Sequence, residues 1–335
     1  MNFEIKKLNI GNVMKTKRAL LTGAAGFIGS NLAKELLLRG VDLDVVDDLS
    51  SGHIEFLPDQ LKGKLIKEDF SSQVVLDLIK SKGYDAVFHI AAIPRVSYSV
   101  DFPVETNDNN VSKTLSLIDA CRENVGRFVF ASSSSVYGDT DELPTPVTCE
   151  KNPKSPYALQ KSIIEDYLKI YYNLYGLDSA CLRFFNVFGP HQLGNSPYST
   201  ALGAWLTAIH SDNLMRSDGD GSQSRDLCYV DNVVDVCIRA AESEKDLQSV
   251  RLNVACGVRT TNKDILSYLL SKYPNAKYYD APWRPGDVMH TQADISMTKE
   301  VLGYEPLVHV WEGIDRTIKW YDENWDMIKN LGLSK

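Results

Sequence analysis

Tyr157 and Lys161 stand four residues apart in the stretch SPYALQKSIIEDYLKIYY, a spacing that sets both side chains on one face of a helix, one turn from each other. An ammonium held there can lower a phenol's pKa, and moving it from about 10 towards about 7 is worth roughly 4 kcal/mol of preference for the phenolate. Such a tyrosine serves as a general base at neutral pH. The same spacing occurs three times, at Tyr157/Lys161, Tyr268/Lys272 and Tyr273/Lys277. Context separates them. Only the first pair opens a long amphipathic helix just after prolines and follows a serine-bearing strand end at short range. The other two lie within or beside SYLLSKYPNAK, with no sheet motif near them.

That strand end is FASSSSVYGD, residues 130–139, with four serines from Ser132 to Ser135. Composition alone makes such a tract a linker. Its flank RFVFA, however, has the pattern of a buried strand, and the C-terminal ends of strands in a doubly wound sheet face the ligand crevice. The serines are therefore expected to point at a ligand. A second ligand-facing feature lies earlier, where Gly23, Gly26 and Gly29 fall between a strand and a helix in ALLTGAAGFIGSNLAKELLLRG. Glycine permits a tight turn and close backbone approach, and the free N–H groups of the helix start can then meet a pyrophosphate. Asp47 ends the next expected strand, eighteen residues after Gly29, in LDVVDDLS. A carboxylate there accepts both ribose hydroxyls and repels a 2′-phosphate, which favours NAD over NADP. Asp69, in KEDF, is placed to touch adenine or to be a surface acid.

The elements that must hold these residues are legible in the first half. Arg18–Thr22, Leu43–Asp47, Lys64–Glu68, Ala86–Ile90, Phe128–Ser132 and Ala180–Arg183 read as short β-branched strands alternating with amphipathic stretches. The pattern predicts an α/β fold, a doubly wound parallel (Rossmann) sheet covered on both faces. After Phe185 glycine, proline, asparagine and serine cluster, so residues 1–184 are expected to bind the cofactor, with a return of the chain around 226–256, and residues 185–335 to form a smaller α/β substrate-binding region. Residues 1–17 read as a polar lead-in.

The 335 residues are 44% hydrophobic and 24% charged, ordinary for a globular protein. A formal charge of −8 argues against a nucleic-acid or anionic-membrane surface as the main partner. No stretch is apolar for the ~20 residues of a membrane span. The six cysteines form no C-x-x-C pair, and the six histidines no H-E-x-x-H, so a disulfide or zinc framework is not expected and a cytoplasmic protein is.

Taken together, T-G-x-x-G-F-I-G at 22–29, the serines before Tyr137-Gly138 and Y-x-x-x-K at 157–161 resemble the extended short-chain dehydrogenase/reductase family, in the family's order and over most of the chain. The resemblance implies an NAD-dependent enzyme. It gives Ser133 the catalytic Ser/Thr position, makes Tyr157 the base, and has Lys161 lower its pKa and bind nicotinamide ribose. It also places Phe27, Ile28, Ala91, Ala92, Asn110 and Phe184 against the cofactor, and family members often pair as homodimers through the helix carrying Tyr157.

LRFFNVFGP (182–190), DGDGSQSRDLCYVDN (218–232) and WRPGDVMHTQADIS (283–296) further resemble nucleotide-sugar epimerases. That resemblance implies that Asn186 contacts the diphosphate of a UDP-sugar, Arg225 and Arg284 clamp it, and Asp287 contacts the uridine ribose. A planar guanidinium fork suits phosphate oxygens, which an acidic protein must meet locally. Dehydratases and decarboxylases of the family carry an acid at one of the positions of Ser134 and Ser135. Serine at both favours reversible oxidation alone, as in C4 epimerisation. Thr291 takes the place where a bulky tyrosine closes the pocket in glucose-restricted members, leaving room for an acetamido group that Gln192 could bind. UDP-glucose, UDP-N-acetylglucosamine and UDP-glucuronate all remain open, the last because ASSSSVYG also resembles uronate 4-epimerases, and Arg95 could face a charged sugar or solvent. A protein that binds NAD as a sensor or scaffold, without turnover, is the reading from a different class.

Overall fold

The computed structural model describes residues 15–194, 200–283 and 288–332. Five strands of the first half, β1 (Arg18–Thr22), β2 (Asp42–Val46), β3 (Tyr84–His89), β4 (Val125–Ser133) and β5 (Ser179–Phe184), pair only in parallel. A sixth strand, Val250–Val254, returns from the second half to pair with β5. The sheet order is therefore Val250–Val254, β5, β4, β3, β1, β2.

Alternate residues of these strands serve opposite faces. Leu21, Phe88, Val129 and Leu182 pack with Leu32, Leu36, Val233 and Ile238 on one side. Leu20, Val87, Phe128 and Cys181 pack with Val75, Ile79, Ile118 and Leu168 on the other. Helices cover both faces, which is why the strands read as near-continuous apolar runs. β1 has β2 on one flank and β3 on the other, so the chain changes direction of sheet growth there and opens a crevice beyond the strand ends.

The strand expected at Lys64–Glu68 does not form. Only Ile66 bridges Val46 at the sheet edge, its N–H donating to Val45 and its carbonyl accepting from Asp47. The charged Lys67 and Glu68 follow Ile66, and Glu68 N–H folds back onto the Ile66 carbonyl to begin a turn, which ends the pairing after one residue.

The helix Pro156–Tyr175 carries both members of the Tyr157/Lys161 pair. Ser155 caps it by accepting from Ala158 N–H at 3.2 Å, and Pro156 occupies the first position, where no N–H partner is needed. Gly176, with φ of 73°, ends the helix in the left-handed region. The second half contributes short pairings: Ser224–Asp226 antiparallel with Arg259–Thr261, and Val187–Phe188 parallel with Cys228–Tyr229. No described helix is long and apolar enough to cross a membrane.

Candidate active site

The helix Pro156–Tyr175 lays one stripe against the C-terminal end of β4. Lys161 Nζ donates to the Ala131 carbonyl at 2.7 Å, and Tyr157 shares a hydrogen bond with Ser133. Ser133 Oγ also accepts from Ser135 N–H at 3.2 Å and from Ser135 Oγ at 2.9 Å. Ser134 starts the short 3-10 turn Ser134–Tyr137 that follows. Ser132 is different: it is buried and donates to Glu165 Oε1 at 2.7 Å. The tract is thus an ordered strand end rather than a linker.

Burial sets the proton affinities here. It pushes Tyr157 up to about 12, against the opposing hydrogen bond of Ser133, and it pushes Lys161 down to about 7. Burial thus works against the lowering of the phenol expected from the Lys161 ammonium, whose Nζ lies 5.8 Å from the Tyr157 ring centre. In a pocket this dry the ammonium is itself disfavoured. Burial therefore leaves Lys161 to lose its proton near 7 and Tyr157 near 12.

Supporting contacts reach the pair from distant segments. Ser99 Oγ accepts from Tyr157 N–H at 3.0 Å, satisfying a donor of the first helical turn that the helix cannot. Gln160 receives Asn110 Nδ2 at 2.8 Å and donates to Thr106 Oγ1 at 3.0 Å. Asn110 itself accepts from Ile93 N–H at 2.9 Å, so its amide ties the loop after β3 to the helix. Ala91 and Ala92 lie in that loop, and Ala91 N–H points at Thr22 Oγ1 at 3.4 Å. Buried His89 bridges Thr22 and Thr114, with its ring kept neutral by burial, at a pKa of about 3.

At the other end of the crevice, Gly23 has φ of 70°, and a Cβ there would meet the Ala91 backbone nitrogen at 2.7 Å. Gly26 caps the helix Phe27–Leu38, so Phe27 and Ile28 supply its first N–H groups. A Cβ on Gly29 would lie 1.9 Å from the Gly23 carbonyl oxygen, which is how closely helix and loop approach. Asp47 accepts from Ala25 N–H and Leu49 N–H, each at 2.9 Å, and so sits beside the glycine turn. Asp69 accepts from Lys113 and Ser71. Burial raises its pKa, but these hydrogen bonds prevail and hold it below the usual carboxylate range. Phe184 ends β5 opposite Ser133. A glycine turn at a helix start and a carboxylate beside it suit a dinucleotide's pyrophosphate and adenosine ribose. Gly29→Ala is expected to weaken NAD binding by about tenfold or more, since backbone must shift to admit the methyl group. A fluorescence titration with NAD checks it.

The second half holds the remaining candidate residues. Asn186 Nδ2 donates to Thr291 Oγ1 at 2.9 Å, joining residues 105 positions apart. Arg225 lies in the strand Ser224–Asp226, its guanidinium donating to the Met289 carbonyl at 3.2 Å. Asp226 accepts from Cys256, Gly257 and Ala293 N–H groups at 3.0, 2.9 and 3.0 Å. Burial raises its pKa to about 6 against those donors. It staples the chain after Val250–Val254 to the Arg225 strand. Gln192 donates to the Val187 carbonyl and accepts from Thr200, so both ends of its amide are engaged within the protein. Arg95 begins the helix Val96–Asp101 and is exposed. Arg284 and Asp287 lie outside the described residues.

Sequence reading missed Ser99, Glu165, Arg183 and Asp226. Arg183 left a signal, a charge inside the apolar run ACLRFF, and Glu165 lies on the Tyr157/Lys161 stripe. Ser99 left none, because its partner is 58 residues away.

A parallel sheet with a glycine turn at its switch point and a Tyr/Lys/Ser group at the next strand ends defines a dinucleotide-dependent enzyme. Residues 19–255 match the model of the NAD dependent epimerase/dehydratase family, and the chain belongs to that family. A UDP-glucose 4-epimerase of Mycolicibacterium smegmatis is 36% identical over 316 residues, covering 91% of this chain and 98% of that protein. A UDP-N-acetylglucosamine 4-epimerase from Methanobrevibacter ruminantium M1, solved in complex with UDP-N-acetylmuramic acid, is 35% identical with a TM-score of 0.87, covering 93% of this chain and 100% of its own. The UDP-glucose 4-epimerase of Thermus thermophilus, solved with NAD, is 30% identical with a TM-score of 0.81, covering 91% and 99%.

Proposed function

We propose that this protein interconverts the C4 epimers of a UDP-sugar, UDP-N-acetylglucosamine with UDP-N-acetylgalactosamine, UDP-glucose with UDP-galactose, or both. The observation that carries the reading is the dry Tyr157/Lys161/Ser133 group at the end of β4, with serine at 134 and 135 where an eliminating or decarboxylating enzyme needs an acid. Tyr157 takes the proton of the 4-hydroxyl, directly or through Ser133. Lys161, bound to the Ala131 carbonyl, stands one turn away to share that proton. NAD, held by Gly23, Gly26, Phe27, Ile28, Gly29, Asp47 and the Ala91–Ala92 loop, supplies the acceptor for the hydride leaving C4 and the donor of the one that returns. Arg225, with Asn186 beside Thr291, receives the diphosphate, and Arg284 and Asp287 are assigned to the same substrate by their motif. Relatives acting on different UDP-sugars support the nucleotide part more narrowly than the sugar.

The experiment is to incubate the purified, NAD-loaded protein separately with UDP-N-acetylglucosamine, UDP-glucose and UDP-glucuronate, and to follow each sugar ring by proton NMR. Interconversion of the first or second is expected; none in any of the three sinks the reading, and turnover of the third alone transfers it to uronates.

The pair's titration gives a pH dependence with a definite sign. When both groups carry protons the pair cannot accept another, so kcat/KM should fall about tenfold per unit below an apparent pKa near 7 and level off above it. A profile that falls as pH rises from 6 to about 8 would contradict this proton count.

We also propose pairing of two copies through the Tyr157 helix, whose Leu159, Ile170 and Leu174 are exposed, as are Val100 and Val104 of the helices packed against it. Light scattering at micromolar concentration tests it, with a monomer mass as the contrary result.

A further inference from the structure

Residues 157, 161 and 165 recur every fourth position and meet β4 as three successive rungs: Tyr157 with Ser133, Lys161 with the Ala131 carbonyl, and Glu165 with Ser132. The first two rungs are single hydrogen bonds. The third is anchored much more heavily. Glu165 is fully buried, and besides Ser132 it receives Arg183 of β5 at both oxygens, Nε at 2.8 Å and a terminal nitrogen at 2.7 Å. Arg251, on the returning strand Val250–Val254, lies 3.2 Å from its second oxygen. One carboxylate therefore ties the helix to three adjacent strands, one turn beyond Lys161 and one residue before Ser133.

We infer that Glu165 is a positioning residue: acting through Ser132 and Arg183, it sets the register of the Tyr157/Lys161 helix against the end of β4 and keeps Ser133 and the two reacting groups in place. The inference rests on the epimerase reading for its catalytic consequence, although its structural consequence is independent of any substrate. Ser132 has no reacting atom to touch. Its hydroxyl points away from the crevice, into the carboxylate. If the third rung loosens, the helix can slide on the strand, water reaches Lys161, and the proton pair loses both its geometry and its dryness. A misplacement of about 1 Å at reacting groups costs up to about a hundredfold in rate.

Ser132→Ala and Glu165→Gln test this in the NAD-loaded protein. Ser132→Ala removes only the hydroxyl and leaves the Arg183–Glu165 pair in place, so it is the variant expected to fold in full. Both should lower kcat by about tenfold or more while KM for the UDP-sugar stays within about twofold, the signature of lost transition-state geometry rather than lost binding. Ser132→Thr, which keeps the hydroxyl, should restore the rate. A second readout needs no turnover: acylation of Lys161 by a small amine-selective reagent across a pH series, followed by peptide mass spectrometry. Its midpoint should move up by about one unit in both variants as water enters. Wild-type kcat with an unmoved Lys161 midpoint in both variants overturns the inference, whatever their thermal midpoints. A wild-type protein that turns over no UDP-sugar sinks the epimerase reading alone, and the acylation comparison still decides the role of Glu165.

Discussion

Tyr157→Phe is expected to lower kcat by about a thousandfold, within the range general acid–base groups supply, corresponding to roughly 4 kcal/mol in the barrier. The substitution keeps the ring that packs in the site and removes one hydroxyl. Ser133 retains its two hydrogen bonds from Ser135, so the strand end has no reason to move. Tyr157 N–H still reaches Ser99 because that contact is backbone. NAD should therefore remain bound, and KM should change little. Stopped-assay NMR of the sugar, with NAD content measured on the same sample, checks both parts. A kcat within about threefold of wild type removes Tyr157 from the chemistry, and a sensor or scaffold protein predicts that insensitivity.

Arg183→Leu should destabilise the fold by about 3 kcal/mol, because it leaves the Glu165 carboxylate buried without its bidentate partner. Both side chains are almost wholly withdrawn from solvent, at 2% and 0% exposure. The guanidinium also donates to the Val147 carbonyl and lies 4.7 Å over the Tyr137 ring, and both contacts go with it. Arg251 remains 3.2 Å from Glu165, which keeps the expected loss at the lower end of what broken buried pairs cost. Urea unfolding at constant slope measures it. The paired change Arg183→Leu with Glu165→Leu should cost less than the single one, because no charge is then stranded. If the single and double variants lose the same stability, the damage is packing and not electrostatics.

These two residues also mark how far the amino-acid order carries. The glycine turn, Asp47 and the Tyr157/Lys161 pair were legible because each is a local pattern, set by a few consecutive residues and the period of a helix or strand. The alternation of strands and helices likewise implied a parallel sheet. Lys64–Glu68 misled, since a β-like run says nothing of whether a neighbour lies alongside it, and at the sheet edge only Ile66 found one.

What the sequence determined by itself was the set of candidate reacting groups, the expectation of NAD and the layered architecture. Tertiary structure decided what depends on distance and on water. It joined Glu165 to Arg183 and Ser132, Asn186 to Thr291, and Tyr157 to Ser99 across gaps of up to 105 residues. It also set burial against the expected lowering of the Tyr157 pKa. Spacing along a helix brings an amine near a phenol, but only folding excludes the water that would have let that amine stay charged.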